Sequence, residues 1–149
     1  MKIAAAAALA LIVAACGSSS GEGGAAVAVE DALCRPTPNG RDMTACYITV
    51  TAKADDRLMS IAAPDAATAQ LHEMKTANGM MSMGEIAGGL PLPAGQAVAL
   101  ASGGNHIMLM GLSRPLAEGD TVSLTLGFEK AEPVTVVARV AQPPLPGAH

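Results

Sequence analysis

Between residues 25 and 142 the apolar residues come in short runs, each closed by Gly, Pro, Asp or Asn. Val122, Leu124, Leu126 and Phe128 alternate with Ser123, Thr125 and Gly127, and Cys46, Ile48 and Val50 alternate with Tyr47, Thr49 and Thr51. A period of two sorts residues onto the two faces of a strand, whereas a helix needs apolar residues every three or four positions. No run of ten or more residues here carries that helical stripe. Asn78-Gly79 between two such runs is a hairpin signal, because both residues tolerate the positive φ of a tight turn. The pattern predicts one all-β domain, a sandwich or barrel, which suits a chain of 149 residues. Its core must come from Ala, Val, Ile, Leu and Met, since the chain has no Trp, one Tyr and one Phe. Nine methionines in such a chain invite a simple explanation, that flexible thioethers fill gaps in the core.

The segment ahead of this domain reads as an export signal. Lys2 precedes the apolar run "IAAAAALALIVAA", which is shorter than the roughly 20 residues of a membrane span. Val13-Ala14-Ala15-Cys16 resembles the lipobox of bacterial lipoproteins. That resemblance implies a signal peptide over 1–15, cleavage before Cys16 and lipid on its thiol. The alternative is an ordinary secretory signal cut nearby. Residues 16–24, with "GSSSGEGG" after the cysteine, then form a flexible tether. The expected location is the periplasm or cell envelope on a lipid anchor, with the outer membrane favoured because Gly17, and not Asp, follows Cys16. Residues 143–149 form a Pro-rich tail.

The formal charge of −4 becomes one unit more negative once Lys2 is removed. Without a basic cluster or stacking aromatics, nucleic-acid binding is excluded. Assigning Cys16 to lipid leaves Cys34 and Cys46, which in an oxidising compartment are expected to pair as a structural disulfide. A redox-active dithiol is the alternative, but the pair lacks the Cys-x-x-Cys spacing that activates a thiol.

The chemistry concentrates in one window. In "HIMLM", strand alternation puts His106, Met108 and Met110 on one face and Ile107 and Leu109 on the other. Six of the nine methionines lie between Met74 and Met110, and His72 and His106 bracket most of them. A hairpin at Asn78-Gly79 would bring Met83 back toward His72. Thioether sulfur is a soft, neutral donor suited to Cu(I) and ill matched to Mg, Ca or Mn, and imidazole suits copper as well. Two His and two Met without a thiolate would bind copper and still release it.

His72 and Met83 are separated by ten residues, Met83 and His106 by twenty-two, and His106-Ile107-Met108 completes a His-x-Met triplet. With "LHEMKTANGMMSM", "GGNHIMLMGL" and "PLAEGDTVSLTLGFEKA", this pattern resembles the periplasmic copper chaperone family called PCuAC, whose middle spacing is about one residue shorter. The resemblance runs from about Val27 to Val140. It implies a cupredoxin-like Greek-key β-barrel, Cu(I) held near the surface, and delivery to the CuA centre of cytochrome c oxidase or another copper acceptor. Carried over by position, the ligands are His72, Met83, His106 and Met108, with Met74 in reserve; Met81 and Met110, on suitable faces, read as packing or as a layer supporting the ligands. The family often has a Trp where Leu33 stands, and Cys34 and Cys46 are not part of its signature. Some members carry a His- and Met-rich C-terminal extension; here His149 stands alone and reads as a solvated residue.

No arrangement such as Gly-x-Ser-x-Gly supports hydrolysis, so an enzyme is not expected. A blue-copper electron carrier needs a Cys thiolate with two His, and both domain cysteines lie far upstream of the His-x-Met run. Copper storage or resistance, and a lipoprotein with a Met-rich core and no metal, are the remaining alternatives.

Overall fold

The computed structural model describes residues 26–144. The expected signal peptide, Cys16, the tether and His149 lie outside the described residues. Ten strands make up the described part: β1 (Val27–Cys34), β2 (Met43–Ala52), β3 (Asp56–Ala62), β4 (Ala66–Ala77), β5 (Met80–Glu85), β6 (Leu90–Leu92), β7 (Ala97–Leu100), β8 (His106–Leu112), β9 (Thr121–Phe128) and β10 (Val134–Val140). The described residues contain no helix, as the period-two alternation predicts.

The strands join in one mixed sheet in the order β5-β4-β8-β2-β1-β10-β9-β3-β6. β1 runs antiparallel to β2 and parallel to β10. The long β2 pairs with β8 through Met43–Cys46 and with β7 through Ile48–Thr51. Although β3 and β4 stand near opposite ends of the order, they touch, so the sheet folds over and its inner faces meet. Ile48, Val50, Leu58, Leu71, Ile107, Leu109, Val122, Leu124 and Leu126 belong to the single core so formed. Each fully buried Leu or Ile of this kind contributes about 1.5–3 kcal/mol.

No described methionine belongs to that core. Met43, Met59, Met80, Met81 and Met83 are exposed, and Met74, Met108 and Met110 are half-buried. The gap-filling role that composition suggests is therefore corrected, and with it the Met-rich core of a metal-free lipoprotein. The reason is local: Leu71, Ile107 and Leu109 take the inward positions of β4 and β8, and alternation turns Met74, Met108 and Met110 outward.

Two features lock the frame behind these strands. Cys34 and Cys46 are direct cross-strand partners, fully buried and joined by a disulfide. Cross-linking residues 12 apart restricts the unfolded chain. Replacing both cysteines by alanine is expected to cost about 2–5 kcal/mol in chemical denaturation of the oxidised protein. Across the molecule, Asp56 accepts backbone hydrogen bonds from Arg57 (2.7 Å), Lys130 (3.0 Å) and Ala131 (2.9 Å), tying β3 to the β9–β10 connection. Burial would raise the Asp56 carboxyl, but these bonds and the Lys130 charge outweigh it and hold the pKa below the usual 3.8. A lowered carboxylate pKa stabilises the fold above the unfolded value and loses that contribution as pH falls through 3.8 and then through the folded value. Acid titration of Asp56→Asn should accordingly show a stability deficit at neutral pH that shrinks below pH 3.8.

Candidate metal centre

The centre is built on β5, β4 and β8. Asn78 (φ 53°) and Gly79 (φ 74°) both adopt the left-handed conformation, so a two-residue turn closes the β4–β5 hairpin. That turn sets the register: Met74 faces Met83, Thr76 faces Met81 and His72 faces Glu85. On the other side of β4, His72 faces His106, Gln70 faces Met108 and Thr68 faces Met110. Directly paired residues share a face of a sheet, and so do residues two apart on one strand. His72, Met74, Met81, Met83, His106, Met108 and Met110 therefore lie on one face, opposite the face that enters the core. Gly111 helps β8 stay close to β4, because a Cβ there would sit 2.7 Å from the Cβ of Ala67.

The register brings the other three expected ligands around His72. His106 is its direct neighbour, with ring centroids 5.8 Å apart and planes at 60°. Met83 and Met108 stand diagonal to it, about 7–8 Å away between backbones, a gap long side chains bridge. Met74 is the partner of Met83 and the next residue along the same face from His72. Met81 is 63 % exposed and sits opposite Thr76, one place further from His72 along the same face than Met83.

The two imidazoles present different nitrogens. His106 is buried, and its Nδ1–H donates to the Gly104 carbonyl at 2.9 Å, which leaves Nε2 with a lone pair. His72 donates through Nε2–H to Gln70 Oε1 at 3.0 Å, and the Gln70 amide donates to Glu85 Oε2 at 3.3 Å. That assignment leaves His72 Nδ1 with its lone pair, buried and without a hydrogen-bond partner. Buried polar atoms almost always find a partner, so an orphan of this kind fits an atom that a metal completes. Burial pushes the His72 pKa down from 6.5, neighbouring His106 adds to the effect, and Glu85 opposes it. The imidazole thus stays neutral at pH 7, as metal binding requires. Gln70 and Glu85 escaped the sequence reading. The signal for Gln70 was its place two residues before His72 on the same strand face.

The donor set is selective. Among the described residues no group of three or more His, Cys, Asp or Glu side chains could hold a metal ion, so a hard-cation or conventional zinc cluster is absent there. The two described cysteines are bonded to each other, so neither supplies the thiolate of a blue-copper site. What remains is thioether and imidazole on a partly exposed sheet face.

Comparison with known proteins places this arrangement. The fold is similar to the copper-bound PCuAC domain from PmoF2, with 27% identity and a TM-score of 0.64 over 79% of this chain and 94% of that one. It is also similar to the solution structure of CuI-DR1885 from Deinococcus radiodurans, with 34% identity and a TM-score of 0.58 over 73% of this chain and 74% of that one. The described part is thus a cupredoxin-like domain of the PCuAC type. Residues 27–140 match the family described as "LpqE-like: Putative lipoprotein LpqE-like", and the chain belongs to that family. A curated relative, "Putative lipoprotein Lxx21020" from Leifsonia xyli subsp. xyli, is 41% identical over 101 residues, which cover 65% of this chain and 61% of the relative.

Proposed function

We propose that this protein is an exported copper chaperone that carries Cu(I) on His72, Met83, His106 and Met108, with Met74 as a fifth donor in reserve. The observation that carries the reading is the convergence of two imidazoles and a row of outward methionines on one face, with one imidazole nitrogen orphaned. The copper-bound and CuI-loaded relatives support it. Cu(I) is the cargo, and the protein's part is to hold and release it. His106 is fixed by its bond to Gly104 and anchors the ion. The thioethers are weaker donors on half-exposed or exposed side chains, so one of them leaves when an incoming ligand arrives. Copper remains Cu(I) throughout, and no proton or electron moves. The CuA centre of cytochrome c oxidase is the acceptor in this reading. Cys16 carries the lipid and residues 17–24 the tether that keep the domain at the membrane, in keeping with a family of lipoproteins.

Titration with Cu(I) against a competing chelator tests the proposal. One ion per chain in a complex with no intense visible band is expected. A strong blue Cu(II) band, or no Cu(I) uptake, would overturn it.

A further inference from the structure

A groove of about 620 Å³ opens beside the donor face, between the β1–β2 connection and the first half of β2. Arg35, Pro36, Pro38, Arg41, Met43 and Met108 are among the residues that line it, and none of its lining residues is acidic. Met108 belongs to both the groove and the donor face, so whatever fills the groove reaches the copper ligands. Arg35 and Arg41 are exposed, and among the described residues neither is in an ion pair. Elsewhere among the described residues Arg57, Lys75 and Arg114 each pair with a carboxylate, while Arg139, on β10, is like Arg35 and Arg41 exposed and in no ion pair. Two unmatched guanidinium groups in one groove stand out on a chain of formal charge −4.

We infer that this groove docks an extended, acidic segment of the copper acceptor, with its carboxylates on Arg35 and Arg41 and a sulfur donor beside Met108. The inference rests on the copper-transfer reading above. Guanidinium forks match carboxylates in a bidentate geometry, while Pro36, Pro38 and Met43 offer apolar wall to a peptide backbone. A phospholipid headgroup could use the two arginines but has no use for a wall leading to Met108. Transfer then replaces the bond between Cu(I) and the Met108 thioether by a bond between Cu(I) and the incoming sulfur. The copper keeps its oxidation state and Met108 is left neutral.

The test uses the full chain and two synthetic peptides that share one Met-x-Met core, flanked by Glu in one and by Gln in the other. Copper passing from the loaded protein to each peptide is measured by rapid desalting and metal analysis. The net charge of the protein opposes an acidic peptide, so a preference for it must come from a local site. Transfer to the Glu peptide is expected to be about 10-fold faster at low salt. The difference should close near 1 M salt, where the screening length is about 3 Å. Arg35→Gln combined with Arg41→Gln should remove the difference and leave chelator-measured Cu(I) affinity unchanged, whereas Arg35→Lys with Arg41→Lys should retain most of it. In the metal-free protein, NMR shifts at residues 35–45 and at Met108 with the Glu peptide alone report docking independently of copper. Equal transfer to both peptides, or a preference that survives the Gln double variant, overturns the inference. So does arginine-dependent binding to anionic phospholipid vesicles with peptide transfer unaffected. Failure of the wild type to take up Cu(I) instead counts against the copper-transfer reading.

Discussion

His106→Ala is expected to abolish stoichiometric Cu(I) uptake in a chelator competition. The loss should exceed the roughly 10–100-fold that follows when a residue merely orienting a metal ligand is removed. His106 is 6% exposed, and its orientation is fixed through Gly104. His72, its direct partner across β4 and β8, is itself one of the expected ligands, so among the described residues no spare imidazole stands ready to replace it. Gln70→Ala is the informative companion. It frees His72 Nε2 and leaves every ligand in place, so its loss should be the smaller one. Wild-type affinity in His106→Ala would remove the site as drawn.

The second large effect is a contrast between the two faces of the sheet. Met83 is 50% exposed, and its replacement by alanine should change the stability of the metal-free protein by no more than about 0.5 kcal/mol while weakening Cu(I) binding strongly. Leu109, fully buried on the inward side of β8, should behave in the opposite way. Leu109→Ala removes core volume and is expected to cost about 2–5 kcal/mol in thermal or chemical unfolding. Because Met74 faces Met83 across the hairpin, the Met74→Ala/Met83→Ala double variant should lose more affinity than either single change. Equal destabilisation by Met83→Ala and Leu109→Ala would mean that the methionines pack, and the copper reading would fail.

Much of this was readable along the chain because strand alternation and tight turns are local. Residues two apart share a face wherever the backbone is extended, so His106 and Met108 belong together whatever else the protein does. Asn78-Gly79 closes the hairpin by a conformational preference of those two residues, and the register of Met83 against Met74 follows from it. Alternation does not say which face is inward. The number of methionines was for that reason uninformative about burial, and the alternative of a Met-filled core was removed only by β4 and β8 turning Leu71, Ile107 and Leu109 to the interior.

What the amino-acid sequence determined alone was an all-β domain with two hairpin-scale groups of soft donors, because these depend on dihedral preferences within a few residues. Pairing of His72 with His106, 34 positions away, was decided by the tertiary structure, since the register of separate strands is set by how their apolar faces fit one core. The same holds for the lone pair that Gln70 and Gly104 leave on each imidazole. It holds also for the placing of Arg35 and Arg41 beside Met108, where the chain crosses the molecule to bring charge and ligand to one groove.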